Sequence, residues 1–305
     1  MSLPDGRQPG LLVSAMQIRA TLQAGLKRLL EHDVPSADLA AELLLMHVLQ
    51  EDRAYLYTHS DHELSAAQVD HYLELIAERS TGKPTQYITG HQEFWGLDFE
   101  VTPAVLIPRP ETEHIIEAVL DLIGRSGLSK KEPFRIADVG TGSGCIPVTL
   151  AKELPRTKLF ATDISPEALE VAARNAQRLG VADRIEFLES DLLVALLKPE
   201  FLGAFDFVVS NPPYVGHDEL DEVQREVREF EPRLAWGDLA QGEEIYARLF
   251  PQTHRLLKPG GFVVVEIGYN KKDAVLQLVG EGWQQQEIRP DLAGIPRVIG
   301  ARKKG

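Results

Sequence analysis

Residues 138–144 read Asp-Val-Gly-Thr-Gly-Ser-Gly, with glycine at every second position from Gly140 to Gly144. Alternating glycines let the backbone turn tightly and approach a ligand without Cβ clashes. The apolar residues before the run predict a strand at 135–139, and those after it predict a helix at 143–153. The run lacks the Gly-Lys-Ser/Thr ending of a triphosphate-binding loop, and it is one residue off the dinucleotide spacing G-x-G-x-x-G. It therefore predicts a ligand-binding loop of another kind, at the carboxyl end of a strand.

The chain continues in the same rhythm of strand and helix to its end. This rhythm predicts a mostly parallel α/β sheet with helices on both faces. Such sheets bind ligands at the carboxyl ends of their strands, where the strand order reverses. The further predicted strands are 158–162, 184–188, 205–210, 262–267, 284–288 and 297–302, and the further helices are 166–179, 243–257 and 271–280.

Two aspartates follow the next two predicted strands. Asp163 lies about twenty residues beyond the glycine loop, where a carboxylate can accept two hydrogen bonds from ribose hydroxyls. Asp191 follows the third strand and could accept from an adenine amino group, and the adjacent Leu192 is placed in the same pocket. Together with Gly140, Thr141, Gly142, Ser143 and Gly144, these residues predict a site for an adenosine-bearing cofactor. The alternative is a tight turn with aspartates that serve only as helix caps.

The fourth predicted strand is followed by Asn211-Pro212-Pro213-Tyr214. Proline fixes its own φ and keeps the residue before it extended, so the Asn211 side chain is directed. Its oxygen and the Pro212 carbonyl form a rigid pair of acceptors that can grip both hydrogens of a planar –NH2 group. Tyr214 adds an aromatic face against which that plane can lie. A rigid loop without chemistry is the alternative.

The first third of the chain has a different pattern. Apolar residues at helical spacing predict three to five helices over residues 14–80. A break at Gly82 leads into a predicted β-hairpin within 86–107, with a turn at Gly96. Pro108-Arg109-Pro110 then opens a helix that runs to about Ile123, with Glu111 and Glu113 in its first turn. We expect a small all-α domain at 1–82, a hairpin linker at 83–108 and the α/β domain at 109–305.

Composition limits the class of protein. The 305 residues carry a net charge of −14, which argues against a protein that wraps duplex nucleic acid. The single cysteine, Cys145, rules out an internal disulfide and a CxxC zinc site, and we expect no metal. Apolar runs such as Leu43–Met46 are far shorter than the ~18 residues that span a bilayer, and no secretory signal is visible. We therefore expect a cytoplasmic protein without a membrane partner.

The motifs resemble a known family. The glycine loop, Asp163 and Asn211-Pro212-Pro213-Tyr214 resemble class I (Rossmann-like) S-adenosylmethionine methyltransferases that alkylate planar nitrogens. The resemblance narrows to the protein-(glutamine-N5) methyltransferases, and it covers nearly the whole chain. The segments that carry it are Gln86–Gly90, Phe94–Gly96, Leu106–Glu113, Glu231–Arg233, Glu266–Gly268 and Pro296–Val298.

The run Pro108–Glu113 is similar to the branch that acts on peptide-chain release factors. The resemblance implies methyl transfer from S-adenosylmethionine to the side-chain amide N5 of the glutamine in a Gly-Gly-Gln motif, leaving S-adenosylhomocysteine. It implies catalytic roles for Asn211, Pro212 and Tyr214, a cofactor contact for Asn211, and substrate contacts for Pro213 and Arg109. An ion pair between domains is the alternative for Arg109. The partners implied are class 1 release factors, and we expect a monomer.

Other functions stay open at the level of sequence. Glutamine methylation of a large-subunit ribosomal protein is the same reaction on another substrate. A nucleic-acid adenine-N6 methyltransferase also uses Asn-Pro-Pro-Tyr, but the negative charge and the lack of a basic recognition domain disfavour it. A cofactor-binding interaction module that has lost catalysis is a further alternative, and the intact glycine loop and the intact Asn-Pro-Pro-Tyr loop argue against it.

Overall fold

The computed structural model describes residues 16–240 and 242–305. The chain divides into two compact units, with the boundary between Thr89 and Gly90. The hairpin therefore belongs to the second unit, with the α/β sheet. The predicted divisions at 1–82, 83–108 and 109–305 stay predictions. Residues 1–15 of the predicted domain, which include the first two residues of the predicted helical region 14–80, lie outside the described residues.

The first unit is helical, as predicted. Gly25 is where its first helix packs closely on another, because a Cβ there would lie 2.1 Å from the Tyr72 hydroxyl. A capping box at Ser65 begins the fourth helix. An antiparallel pair of two-residue strands, β1 and β2, was not expected from the sequence. The elements are β1 Met16–Gln17, α1 Ile18–Glu31, α2 Ala37–Leu49, α3 Arg53–Thr58, β2 Glu63–Leu64, α4 Ala66–Arg79 and α5 Thr85–Thr89.

The predicted hairpin is shorter than expected. Strands β3 His91–Phe94 and β4 Leu97–Glu100 pair antiparallel. Trp95 and Gly96 between them have φ of 56° and 69°, as a two-residue turn that matches strand twist requires. The first residues of the segment in which the hairpin was predicted belong instead to helix α5, which spans residues 85–89. There the backbone N–H groups of residues 87 and 88 bond back to the carbonyl of residue 84.

The second unit is built on a seven-stranded sheet in the order β12-β13-β11-β8-β5-β6-β7. Neighbouring strands from β11 to β7 are parallel, and β13 is antiparallel to both of its neighbours. A short parallel pair, β9 and β10, lies outside this sheet and was not predicted. The strands are β5 Arg135–Val139, β6 Lys158–Asp163, β7 Ile185–Glu189, β8 Phe205–Ser210, β9 Val215–Gly216, β10 Gly237–Leu239, β11 Leu257–Glu266, β12 Trp283–Pro290 and β13 Pro296–Lys303.

Helices cover both faces of this sheet, and each face has its own apolar core. Helices α6, α7 and α8 pack on one face, while α11 and α12 pack on the other. Each predicted strand and helix of the sheet is present, and the largest difference is that β11 begins at Leu257 rather than 262. Proline and glycine at 259 and 260 are common turn residues, but the strand continues past them through an irregular register. The helices are α6 Glu113–Arg125, α7 Cys145–Glu153, α8 Pro166–Arg178, α9 Arg225–Phe230, α10 Arg233–Trp236, α11 Glu244–Leu256 and α12 Lys272–Leu278.

Candidate functional site

The register of three central strands brings the site together. Ser210 at the end of β8 pairs with Val139 of β5 on one side and with Val265 of β11 on the other. The residues that follow these three are Asn211, Gly140 and Glu266. They therefore leave the sheet side by side at the carboxyl ends of parallel strands. The strand order reverses between β5 and β8, which is where open α/β sheets bind ligands.

The glycine loop has the backbone that its sequence predicts. Gly140, Gly142 and Gly144 have φ of 71°, 52° and 79°, a region that other residues rarely adopt. A Cβ on Gly144 would lie 3.0 Å from the Ala172 Cβ of α8, so close packing also requires glycine there. A Cβ on Gly142 would meet no atom of the described residues within 4 Å. The loop is thus packed tightly against the protein at one end and faces open space in its middle.

Further contacts hold this loop in place. The N–H groups of Gly140 and Thr141 donate to the Thr162 carbonyl, at 2.8 and 3.0 Å. The buried Asn175 side chain donates from Nδ2 to the Ser143 carbonyl at 2.9 Å. Thr141 and Ser143 are themselves buried, at 4% and 2% exposure. The loop is therefore preorganised rather than shaped by a ligand.

Asp138 is a buried carboxylate at the start of the loop. It is fully buried, and neither of its oxygens has a hydrogen-bond partner among the described residues. Burial, with a smaller contribution from the charge of the nearby Asp163, raises its pKa to about 7. A positively charged group bound nearby would favour the ionised form. A sulfonium or ammonium cofactor therefore fits this loop.

Asp163 is tied to the loop by its side chain. Its Oδ2 accepts from the Gly142 N–H at 2.9 Å and its Oδ1 accepts from the Ser165 N–H at 3.0 Å. Burial raises its pKa despite these two bonds. A carboxylate has about four lone-pair sites, so capacity remains for two hydroxyl donors. The loop and Asp163 are thus brought together, and Asp163 serves the local backbone as well.

Asp191 is more exposed than the predicted adenine contact suggests. Its side chain is half exposed and its Oδ2 forms an ion pair with Arg248 of α11. Among the residues that the structure describes, no hydrogen bond joins Asp191 to the glycine loop. The adjacent Leu192 has φ of 53° and packs partly against the core beneath it. The carbonyl of Asp163 accepts from the Ser190 N–H at 2.8 Å, which keeps these two strand ends together.

The Asn211 amide has a defined orientation. Its Nδ2 donates to Thr112 Oγ1 at 3.0 Å, and Thr112 donates to Glu266 Oε2 at 2.7 Å. Within the described chain, the Asn211 Oδ1 has no hydrogen-bond partner, and it is left available as an acceptor. Pro212, which follows, is buried and rigid. The loop therefore presents a directed amide oxygen, as its sequence predicts.

Glu266 connects this amide to Tyr214. Its Oε1 accepts from the Tyr214 hydroxyl at 3.3 Å, and its backbone carbonyl accepts from the Tyr246 hydroxyl at 2.7 Å. Burial raises the Glu266 pKa to about 7, although the bonds from Thr112 and Tyr214 lower it. Burial also raises the pKa of Tyr214 well above its usual range. A Cβ on Gly268 would lie 2.7 Å from the Tyr214 ring, so the glycine makes room for it.

A cavity of about 170 Å³ opens beside the Asn-Pro-Pro-Tyr loop. Arg109 is the charged residue among those that line it. Its guanidinium donates to Glu231, whose other oxygen accepts from the Ile107 N–H at 3.1 Å. Arg109 thus forms an ion pair within the second unit rather than between domains, and it also lines the cavity. The lining residues are Leu106, Arg109, Asn211, Pro212, Pro213, Tyr214, Val215, Val223, Val227, Ala235 and Trp236.

Sequence reasoning did not assign a role to Asp138, Thr112 or Glu266. Asp138 and Glu266 each lie at the end of an apolar strand, and a carboxylate there is the signal that could have marked them. Cys145 is a packing residue, since burial raises the pKa of its thiol to about 12. No group of residues in the described ranges could hold a metal ion. None of the helices described there is both long and apolar enough to cross a bilayer.

The sheet order, the antiparallel β13 and the glycine loop after the first central strand define a class I methyltransferase fold. Residues 20–90 match the family model described as the PrmC N-terminal domain, and residues 125–235 match the methyltransferase small domain. The release factor glutamine methyltransferase of Koribacter versatilis is 52% identical over 94% of this chain and 99% of its own length. That of Moorella thermoacetica is 41% identical over 95% and 99%. The chain belongs to the release factor glutamine methyltransferase family.

Solved structures agree on the fold. The N-terminal domain of human METTL16 is 23% identical, with a TM-score of 0.51 over 74% of this chain and 81% of that one. The same domain in complex with SAH is 22% identical, with a TM-score of 0.50 over 75% and 82%. At this level of identity the likeness concerns the fold alone.

Proposed function

We propose that this enzyme transfers a methyl group from S-adenosylmethionine to the side-chain amide N5 of the glutamine in the Gly-Gly-Gln motif of class 1 peptide-chain release factors. One observation carries the proposal: the two loops that the reaction needs lie against each other. A Cβ on Gly140 would be 3.9 Å from the Asn211 carbonyl, and the Ser210 hydroxyl donates to the Val139 carbonyl at 2.8 Å. A cofactor on the first loop and an amide on the second would share one space.

The residues proposed to hold the cofactor are those of the glycine loop with Asp163, Asp191, Leu192 and the backbone near Asn211. The fit is supported by the open space at Gly142 and by the unpartnered carboxylate of Asp138. Asp163 would bind hydroxyls with its remaining lone pairs. When bound, S-adenosylmethionine supplies an electrophilic methyl group on a cationic sulfur.

The task of the Asn-Pro-Pro-Tyr loop is to make a poor nucleophile reactive. An amide nitrogen is weak because its lone pair is delocalised into the carbonyl. Asn211 Oδ1 and the Pro212 carbonyl would accept both amide hydrogens, which raises electron density on nitrogen and fixes its direction. Tyr214 and Pro213 would bound the plane of the amide. Positioning and electrostatics then supply most of the rate enhancement.

This arrangement does not require a strong general base. The nitrogen becomes acidic only as the new N–C bond forms, and it then loses one proton to solvent. The buried Tyr214 stays neutral at physiological pH, since its pKa is raised. It can therefore act as an aromatic wall and hydrogen-bond donor, and the absence of a His or Cys dyad near the loop in sequence agrees with this chemistry.

The cavity beside the loop is the proposed entrance for the glutamine. Its walls are mostly apolar, with Arg109 held by Glu231 at one side. This suits an uncharged side chain on a protein loop. The net charge of −14 disfavours a nucleic-acid substrate. We infer a cytoplasmic enzyme that acts as a monomer on the release factor.

The test is mass spectrometry of peptides from a purified release factor after incubation with the enzyme and S-adenosylmethionine. One added methyl on the Gly-Gly-Gln glutamine is expected, and none on a release factor with that glutamine replaced by alanine. Asn211→Ala should lower turnover by about 10²- to 10³-fold, as does loss of one preorganised polar group in other enzymes. It should keep much of its affinity for S-adenosylhomocysteine.

Each contrary outcome has a defined meaning. Comparable losses of affinity and turnover in Asn211→Ala would contradict the assignment of Asn211 to the amide. No methyl on the release factor, with cofactor binding confirmed, would refute the proposed substrate. The large-subunit ribosomal protein would then be assayed first and duplex DNA second.

A further inference from the structure

We propose that Thr112 and Glu266 are positioning residues, which hold the Asn211 amide with its oxygen turned toward the substrate. The proposal rests on the proposed function, because it concerns how that loop is aimed. It also identifies two residues that act on the reaction without touching the substrate. The proposal is based on a chain of hydrogen bonds that joins three separate segments of the second unit.

The direction of this chain follows from its chemistry. An ionised carboxylate only accepts hydrogen bonds, so the Thr112 hydroxyl must donate its one hydrogen to Glu266. The Thr112 oxygen is then an acceptor, and the group that it receives from Asn211 must be the –NH2. Asparagine oxygen and nitrogen are interchangeable by rotation, so this network decides which one faces Thr112. The Asn211 oxygen is consequently left for the substrate.

Burial fixes the direction of these hydrogen bonds. Thr112 and Glu266 are each 2% exposed, so water does not offer the hydroxyl another acceptor. In such surroundings a polar chain is strengthened along its length, and an unpaired member is costly. The Glu266 charge would polarise the Thr112 hydroxyl and, through it, the Asn211 amide.

The same carboxylate also holds the other end of the loop. Its second oxygen accepts from the Tyr214 hydroxyl at 3.3 Å, three residues after Asn211. One side chain of β11 therefore fixes both the amide that would grip the substrate and the ring that would bound it. The close fit of that ring over Gly268 leaves it little freedom.

Protonation of Glu266 would remove the fixed direction of the hydrogen bonds from Asn211 through Thr112 to Glu266. A neutral carboxyl can donate to Thr112, whose hydroxyl can then donate to the Asn211 oxygen and turn the amide over. Turnover should therefore rise as the pH increases through the Glu266 pKa, which burial places at about 7. Two charged groups near Glu266 act on its pKa: Glu111 raises it and Arg297 lowers it. The other titratable groups around it have pKa values raised far from neutrality, and they are Tyr214, Tyr246 and Cys145.

The test compares variants of the full chain by kcat on the release factor, Kd for S-adenosylhomocysteine, and thermal unfolding. Thr112→Val removes the hydroxyl and keeps the shape, and kcat should fall by about 10- to 100-fold, as misplacement of a reacting group does. Its Kd should stay unchanged. Thr112→Ser keeps the hydroxyl and should restore most of the rate.

Two further variants complete the design. Thr253→Val makes the same change at another buried threonine, whose hydroxyl has no partner among the described residues, and should leave kcat unchanged. Glu266→Gln can donate as well as accept, so it should lower kcat at pH 8 and abolish the rise near pH 7. Asp138 also titrates near pH 7, so a rise that persists in Glu266→Gln would assign it to Asp138 and overturn the proposal.

The remaining outcomes separate this proposal from the proposed function. If the wild-type enzyme methylates the release factor and folded Thr112→Val does so at the same rate, the positioning role is refuted alone. If Thr112→Ser loses as much rate as Thr112→Val, the hydroxyl is not the active feature and the proposal also fails. If the wild-type enzyme adds no methyl to the release factor, the proposed function fails before any variant is compared.

Discussion

Replacing Gly142 by alanine should separate ligand contact from protein stability. Gly142 has φ of 52° and Gly180, outside the loop, has φ of 70°. Within the part of the chain that the structure describes, a Cβ at either position would meet no atom within 4 Å. Both substitutions therefore add the same kind of backbone strain and no steric overlap with the protein, which makes Gly180→Ala the matched control.

The magnitudes can be worked out from these contacts. The left-handed backbone costs an L-residue about 1–2 kcal/mol. Alanine also restricts the unfolded chain, which offsets about 0.4–1 kcal/mol of that cost. Each variant should thus lose about 1 kcal/mol of unfolding free energy. At Gly142 the added methyl would occupy the space proposed for the cofactor, and overpacking of about 1–3 kcal/mol corresponds to a loss of about 5- to 150-fold in affinity.

The assay is calorimetric titration with S-adenosylhomocysteine, together with urea unfolding of the unliganded variants. Gly142→Ala should bind weakly, while Gly180→Ala should bind like the wild type at similar stability. Gly144→Ala adds the close contact with Ala172 and should lose about 1–3 kcal/mol more unfolding free energy than either. Equal affinity of Gly142→Ala and Gly180→Ala would refute the assignment of the loop to the cofactor.

Two other predictions concern buried charges. Arg109→Met would leave the Glu231 carboxylate, which is 6% exposed, without its cation. The free energy of unfolding in urea should therefore fall by about 3 kcal/mol. Arg109→Lys is the milder control, and a loss in Arg109→Met no larger than that of Arg109→Lys would contradict the prediction. For Asp138, a pKa raised from 3.8 to about 7 means that the folded state resists ionisation. The unfolding free energy of the wild type, relative to Asp138→Asn, should therefore fall by about 3 kcal/mol between pH 4 and 7, and a constant difference over that range would contradict the assignment.

The sequence predicted those parts of the molecule that local patterns determine. Strands β5 and β8 have the predicted bounds because each is an apolar run that ends at a sharp change to glycine or Asn-Pro. The positive φ values at Gly140, Gly142 and Gly144 follow from glycine alone. These two loops contain most of the residues predicted for the site, because glycine and Asn-Pro patterns can be recognised in a short stretch of sequence.

Contacts between residues that are distant in sequence could not be predicted from local patterns. Thr112 lies 99 residues before Asn211 and 154 before Glu266, and only the sheet register brings the three together. The chain has 46 acidic residues, and the position of Glu266 at the end of an apolar strand does not reveal that it bonds to Thr112 and Tyr214. Asp191 illustrates the opposite case. Its position after a strand was predicted correctly, but the ion pair of its side chain with Arg248 depends on a helix that begins more than fifty residues later.

The two buried carboxylates at the strand ends have different partners, and this difference separates their roles. Glu266 receives two hydroxyl donors from the protein, which offset part of the cost of burying its charge, and its effect is exerted on Asn211. Asp138 receives no donor from the described residues, so its charge stays uncompensated until a cation approaches. A cationic cofactor would lower the Asp138 pKa and take up that charge, whereas an uncharged amide substrate would leave Glu266 as it is. The arrangement thus matches a charged ligand at β5 and a neutral one at β8.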